Sequence, residues 1–564
     1  MEIWGGIECT INRIGDEFKD QLNYSGHYHR TGDIHAIAGL GIKTIRYPIL
    51  WEKHHPNKND KIDWRWTDRQ LQAIRDCRMK PIAGLLHHGS GPSFTNLLDP
   101  EFPYLLAGYA FEVVSRFPWL EDYTPVNEPL TTARFSGLYG LWYPHHRNEC
   151  SFYRMLLNQM KGVVLSMEAI RSVNPSARLV QTEDLGKTYS TPLLAYQANF
   201  ENDRRLLTFD ILNGRLTPGH PQYHHILSCG ITEDELQFFQ MHPCPPDILG
   251  LNYYITSERW LDESLDKYHH HTHGGNCIHR YADTEVVRAH PDARGGFKVL
   301  ATEIWNRYGI PMAVTESHLH CTREEQLRWF KEIWDDASAL ANEGIEIKGV
   351  TAWALLGSFD WDTLLTKTGT QYESGVFDIK TSAGQLRPTA LARLIKNLND
   401  KATRFHPVLS APGWWHKDGP ISNNKKCPVI IVSGEDEKGA ERLSLENLCH
   451  SLVAACDQRR IPAMIIKDMD DISLGQLNPW AIINIGRKNI QRRETGSQSL
   501  YVTFNNQEED EHCLKIIVEQ MPMNIHQINK VLDLMIDGDY GCWIFGAEEI
   551  MFRSTYLQQK KHIA

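Results

Sequence analysis

Trp66-Thr67-Asp68-Arg69-Gln70-Leu71-Gln72-Ala73-Ile74-Arg75-Asp76-Cys77-Arg78 and, shortly after, Pro81-Ile82-Ala83-Gly84-Leu85-Leu86-His87 carry both periods on which the fold turns. In the first stretch Leu71, Ile74 and Cys77 recur at helical spacing, which predicts an amphipathic helix over 66–78. The second is apolar almost throughout. It is too short for a helix and too continuous for a strand with one face in water, so it reads as a strand buried on both faces. The same alternation runs outward in both directions. Further strand candidates are Ile3–Ile7, Thr44–Ile49, Tyr123–Val126, Leu179–Thr182, Asp247–Tyr254, Met312–Thr315 and Gly349–Leu355. Helical patterns lie between them at Tyr104–Arg116, Phe152–Val173 and Glu324–Ala341, and Pro388–Leu398 supplies a final helix. Eight strand–helix alternations over residues 1–404 predict an α/β fold, a (β/α)8 TIM barrel rather than a doubly wound sheet.

In such a barrel, chemistry sits at the C-terminal ends of the strands. Two acidic segments fall there. Thr124-Pro125-Val126-Asn127-Glu128-Pro129 places Glu128 after the fourth strand, and Ala313-Val314-Thr315-Glu316-Ser317 ends the seventh at Glu316. Both therefore face one mouth. Two carboxyl groups across a sugar are the minimum equipment for breaking a glycosidic bond. A lone Glu in either place would more often be a surface residue or half of an ion pair.

Composition narrows the partners. The formal net charge of −11 argues against a nucleic-acid partner, because a phosphate backbone needs a basic face. Sixteen Trp and 21 Tyr are enough to line a sugar site, although most aromatics serve the core. The cluster His269-His270-His271 with His273 lacks the spacing of a structural zinc site and reads as a solvated loop. Twelve scattered Cys without a CxxC pair fit reduced thiols in a cytoplasmic protein. Neither a basic-then-apolar leader nor a run of about 18 apolar residues is visible, so neither secretion nor a membrane span is expected.

The motifs around the two acids resemble glycoside hydrolase family 1, the retaining β-glycosidases, and the resemblance covers residues 1–400. It rests on Asn127-Glu128-Pro129 with Thr131-Thr132-Ala133-Arg134, on Thr315-Glu316, on Asn252-Tyr253-Tyr254, and on the stretch from Trp353 to Trp361. The resemblance implies a β-glycosidase, β-glucosidase- or β-galactosidase-like, acting on a β-glycoside without metal or cofactor. Glu316 would be the nucleophile and Glu128 the proton donor and later the base. Asn127 would hydrogen-bond the sugar 2-hydroxyl, Arg46 would keep the nucleophile ionised, and Tyr254 would restrain it. Sugar recognition would fall to Asn12, His88, Trp353, Asp360 and Trp361, together with Asn127. Three departures stand out. Gly89-Ser90 follows His88 where the family has Trp-Asp, Asn12 replaces Gln, and Asp360 replaces Glu. The shortened Asn12 and Asp360 point away from a plain glucose preference. The alternative reading is a barrel that binds carbohydrate without turning it over.

Pro407, Pro412, Gly413, Gly419 and Pro420 with Asn423-Asn424-Lys425-Lys426 mark 405–426 as a linker. Residues 427–564 then begin strand (Cys427–Gly434), helix (Leu443–Arg459), strand (Ala463–Ile466) and strand (Trp480–Ile485), as a smaller Rossmann-like α/β domain would. Arg460-Ile461-Pro462 to Asp468-Met469-Asp470, Asn478 to Asn484, and Asp533 to Trp543 weakly resemble dTDP-4-dehydrorhamnose reductase. The Gly-rich turn of that family is here Gly434-Glu435-Asp436-Glu437-Lys438-Gly439, whose acids would repel a pyrophosphate. The expectation is a degenerate module without nucleotide, a scaffold or a homo-oligomer interface. Nucleotide-sugar reductase activity is the further alternative.

Overall fold

The computed structural model describes residues 1–379, 385–403, 405–416, 429–433, 440–466, 479–485, 500–504, 513–519, 521–539, 542–546 and 550–553. The chain divides into two compact units, Met1–Leu319 with Glu332–Val376, and His320–Lys331 with Phe377–Ala564.

The first unit is built on a closed parallel barrel. Its strands are β1 (Glu2–Gly6), β2 (Thr44–Pro48), β3 (Lys80–Gly84), β4 (Asp122–Thr124), β5 (Arg178–Asp184), β6 (Ile248–Asn252), β7 (Met312–Glu316) and β8 (Ile347–Ala352). Each pairs with its neighbours in sequence, and β8 closes on β1. All eight expected strands are present. Trp4, Ile82, Val180, Ile248 and Ala313 form one buried cluster of strand residues. Gly6 must lack a side chain, because a Cβ there would stand 2.4 Å from the Trp353 ring. Helices α1 (Arg65–Asp76), α2 (Phe102–Arg116), α3 (Glu149–Val173) and α4 (Gly296–Tyr308) lie in this unit. The first three match predicted helices to within a few residues.

Several strands are shorter than expected, β3, β4 and β6 among them. β3 stops at Gly84 and β4 at Thr124, the chain bends beyond each, and His87 bridges Asn127 outside the ladder. The apolar run is real, but its last residues leave the ladder to build the barrel mouth. A register shift on β7, between Val314 and Glu316 against β6, sets Glu316 opposite Asn252. Such irregularities re-aim side chains beside active sites.

The second unit holds a seven-stranded sheet. Its strands are β9 (Val429–Ser433), β10 (Ala463–Ile466), β11 (Ala481–Ile485), β12 (Leu500–Phe504), β13 (Cys513–Val518), β14 (Cys542–Phe545) and β15 (Ile550–Arg553). The order is β10-β9-β11-β12-β13-β14-β15, parallel except for the last pair. Among its helices are Ala440–Gln458 and Ile525–Ile536. Ion pairs tie the early residues of this unit to the late ones. Arg323 meets Asp537 at 2.9 Å, Arg459 meets Glu324 at 3.1 Å and Asp533 at 3.0 Å, and Arg387 meets Asp537 at 2.9 Å. The Gly434–Gly439 turn, Asp468–Asp470, Asn478 and residues 417–426 of the expected linker lie outside the described residues.

Candidate active site

Glu128 follows β4 and caps the short helix Pro129–Ala133, with Pro at its first position. Its backbone is left-handed, φ 46°, and its N–H donates to the Thr182 carbonyl at the adjacent β5. His88 (φ 53°) and Asp360 (φ 60°) share this conformation. Each costs a non-glycine residue roughly 1–2 kcal/mol, and such strain concentrates at functional sites. Glu316 is the last residue of β7.

Asn252, at the end of β6, donates from Nδ2 to Glu128 Oε1 at 2.5 Å and is the register partner of Glu316 on β7, so one residue stands beside both acids. Thr315 donates its hydroxyl to Asn252 Oδ1 at 2.6 Å, which leaves Nδ2 free to face the acids. The barrel thus brings together residues that sequence reading had paired only by strand count.

The acids sit in unequal surroundings. Arg46 Nη1 donates to Glu316 Oε1 at 2.8 Å, and the Tyr254 hydroxyl donates to Oε2 at 2.5 Å. Burial raises the Glu316 carboxyl, while Arg46 and Tyr254 hold it down. Burial pushes Glu128 well above the ordinary carboxylate range, and the charges of Glu316, Glu183 and Asp184 push it further. Only the Asn252 bond opposes them among its main influences. Of two close carboxyls in this arrangement, Glu128 keeps its proton and Glu316 loses it first.

Arg46 also binds Asn127, from Nη2 to Oδ1 at 2.7 Å, and the Thr182 hydroxyl donates to the same oxygen at 2.7 Å. That fixes the Asn127 amide with Nδ2 toward His87 and His88, 3.3 Å from each ring nitrogen. Burial and Arg46 drive His88 down to about 3, and burial drives His87 well below its usual value. Both rings are therefore neutral at ordinary pH, and their 3.9 Å approaches to the acids are not ion pairs. Trp353 stacks on His87 with ring centres 5.6 Å apart, under the Arg46 guanidinium. Trp361 stands 5.6 Å from His88 and 6.3 Å from Trp142, and its Nε1 has no partner among the described residues.

The remaining two expected sugar contacts are placed differently. Asn12 is 2% exposed on the Ile11–Ile14 strand, and its Nδ2 makes no hydrogen bond among the described residues. The Asp360 carboxylate is already occupied. It accepts from the backbone N–H of Gly369, Thr370 and Gln371 and from the Thr370 hydroxyl. A sugar contact there would compete with four bonds that hold a loop.

Four residues escaped sequence reading. Trp142 is buried against Phe135 and His88. Glu183, near the end of β5, is pushed up to about 7 by burial and accepts from the Leu130 N–H. Its place near a strand end was the available signal. Glu8 is buried just past β1 and pushed up to about 7 by burial, with Glu316 adding to the rise. Glu52 enters the space left by the missing side chain at position 89. A Cβ on Gly89 would lie 1.9 Å from Glu52 Oε1 and 3.0 Å from the Ile11 carbonyl. Glu52 Oε1 accepts from the Gly91 N–H, while Oε2 is covered and unpartnered among the described residues, as is the Ser90 hydroxyl. Burial pushes Glu52 up to about 8.

A family model described as glycosyl hydrolase family 1 matches residues 12–373. The chain belongs to that family. It is a glycoside hydrolase, and the match covers both acids and every barrel strand except β1. Among solved structures it is similar to a family 1 β-glucosidase from Thermotoga maritima, at 16% identity and TM-score 0.58, over 72% of this chain and 98% of that one. A β-glucosidase from the same organism in complex with cyclophellitol is similar at 16% identity and TM-score 0.55, over 67% and 88%. An AHE enzyme from Alicyclobacillus herbarius is similar at 16% identity and TM-score 0.56, over 67% and 87%. At these identities the likeness is one of fold. No helix among the described residues is long and apolar enough to cross a membrane.

Proposed function

We propose that the protein is a retaining β-glycosidase working by double displacement. The carrying observation is that Asn252 bonds Glu128 while standing opposite Glu316 across β6 and β7, so both acids gather at one residue. That arrangement suits retention, which needs carboxyls roughly 5–5.5 Å apart, rather than inversion, which needs roughly 6.5–9.5 Å. Glu316, ionised beside Arg46, attacks the anomeric carbon. The glycosidic C–O bond breaks as Glu128 gives its proton to the leaving oxygen. Glu128, now a carboxylate, takes a proton from water, whose oxygen displaces Glu316 from the anomeric carbon. Asn127 contacts the sugar 2-hydroxyl, and His88, Trp353, Trp361, Asn12 and Asp360 bound the sugar. The glycone is a β-glucoside- or galactoside-like sugar met by an altered wall at Asn12, Glu52 and Gly89.

The test is mechanism-based trapping. A panel of 2-deoxy-2-fluoro β-glycosides with good leaving groups is incubated with the protein, and intact mass and peptide mapping follow. An adduct on Glu316 is expected. Hydrolysis without any adduct, or an adduct elsewhere, overturns the assignment. Sugar binding without hydrolysis or adduct supports the non-catalytic barrel instead.

For the second unit we propose a degenerate Rossmann-like module, related to dTDP-4-dehydrorhamnose reductase but without nucleotide, that serves as a scaffold or homo-oligomer contact in a cytoplasmic protein. The sheet order, with β9 flanked by β10 and β11, is that of doubly wound sheets and supports the reading. NADPH titration should show no binding, and saturable binding would restore the reductase alternative. The folding boundaries near 404 and 427 predict that limited proteolysis cuts first within 405–426. First cuts between 320 and 404 would contradict them.

A further inference from the structure

We propose that Glu149, His225 and Cys229, with Cys150 as a fourth ligand, form a binding site for a zinc-type divalent cation. The site uses none of the residues assigned to glycoside hydrolysis.

Local structure brings these residues together. Asn148 caps α3 by accepting from the Ser151 N–H, and Glu149 and Cys150 open its first turn. The short helix Tyr223–Ser228 carries His225, and Cys229 follows as its C-cap. A His and a Cys four apart share one face of a helical turn. One ligand atom each from Glu149, His225 and Cys229 lies within 4.8 Å of the others. Cys150, exposed beside Glu149 on the first turn of α3, stands outside that group, and a rotation of its side chain would bring in a second thiol.

The geometry separates this cluster from an ordinary ion pair. His225 Nε2 stands 3.2 Å from Glu149 Oε2, yet Nε2 is covered from solvent and makes no aligned hydrogen bond. Two atoms bound to one zinc at about 2.0–2.2 Å with tetrahedral angles are about 3.4 Å apart. The pair has the spacing of one edge of a coordination tetrahedron, without the alignment of an N–H donor. The rings of Tyr153 and Phe200 stand edge-on to the imidazole at 5.6 and 5.1 Å and limit its rotation.

Donor chemistry selects the cation. One carboxylate, one imidazole and two thiolates suit zinc, which binds oxygen, nitrogen and sulfur ligands in a tetrahedron. Magnesium and calcium require oxygen ligands and are poorly served. Three anionic ligands also offset a dication at the positive end of a helix. When bound, the ion would staple the start of α3 to the turn at 223–229 within the first unit.

The test uses the full chain, stripped with a chelator and held in reductant, titrated with Co2+ as a spectroscopic stand-in. We expect one ion per chain, a thiolate-to-cobalt charge-transfer band, the visible bands of a tetrahedral site, and displacement by Zn2+. Cys229→Ser should remove most of the charge-transfer band, and Cys150→Ser part of it. His225→Gln should weaken binding about tenfold or more. Circular dichroism confirms that each variant is folded, and His225→Gln serves if Cys229→Ser is not. Absence of the band in the wild type overturns the proposal, as does a band unchanged in both Cys229→Ser and His225→Gln. Cobalt uptake without a thiolate band also overturns it, because it would place the ion elsewhere.

Discussion

The two sides of the barrel mouth differ in how they are held. On one side Glu316, Arg46, Tyr254, Asn127 and Asn252 bond to one another or to a shared neighbour. On the other, Asn12 Nδ2, Glu52 Oε2, Ser90 Oγ and Trp361 Nε1 are covered and have no partner among the described residues. A buried polar atom left unpaired costs about 1–3 kcal/mol. The reacting side therefore carries its own order, as preorganised catalysis requires. The binding side keeps unmet hydrogen bonds that a hydroxyl of a ligand, or water, must fill. Chemistry and specificity are thus separable, and variants on the two sides should fail in different ways.

The largest expected effect is at the nucleophile. Glu316→Gln keeps the shape and removes the attacking oxygen, so turnover of every glycoside should vanish while sugar binding persists. Residual turnover restored by azide would still place the nucleophile here. Undiminished turnover without any additive would remove Glu316 from the mechanism.

Glu128→Gln should be selective. General acid catalysis contributes about 10²–10⁴-fold. Glycosides with poor leaving groups should lose that much, while aryl glycosides that need little protonation lose far less in the first step. In the wild type, activity on poor leaving groups should fall as pH rises through the elevated Glu128 value, because only the protonated form donates. Equal losses on both substrate types would contradict the acid role.

Tyr254→Phe tests the restraint on the reacting side. A hydrogen bond to a charged group is worth about 1.5–3 kcal/mol, which corresponds to roughly 10–100-fold in rate. The loss should appear in kcat with KM little changed. A change confined to KM would move Tyr254 to the binding side.

These two sides were not equally legible in sequence. The strands were, because burial on both faces writes continuous apolar runs, and the acids were, because they end two of those runs. The setting of Asn252 opposite Glu316 was not, although its motif was visible. It depends on the register shift between Val314 and Glu316, which no periodicity records. Glu52 was hidden for a related reason. It sits in the helix Trp51–His54 and meets Gly89 only because position 89 has no side chain. Asp360 matches a sugar-binding position by resemblance, while its bonds to 369–371 come from a loop that sequence pattern does not describe. Motifs reveal which residue types are present, while close approach between loops decides what their atoms touch.

The smallest expected effect is on stability, at Glu52. Its folded value of about 8 lies above the ordinary 4.5. The folded protein therefore keeps a proton that the unfolded chain releases as pH rises above about 4.5. Stability from this group is full below that pH and is lost as pH climbs through about 8. Glu52→Gln holds a neutral group in place at every pH. Thermal melts from pH 5 to 9 should fall more steeply for the wild type than for Glu52→Gln, by an amount on the order of a few kcal/mol at the alkaline end. Glu8 and Glu183, each pushed up to about 7, titrate in both proteins, so the difference between the two profiles isolates position 52. Parallel profiles would show that Glu52 is already charged or solvated. Then the binding side would hold a fixed negative charge rather than a neutral hydrogen-bonding group, and its preference would shift from a sugar hydroxyl toward a cationic substituent.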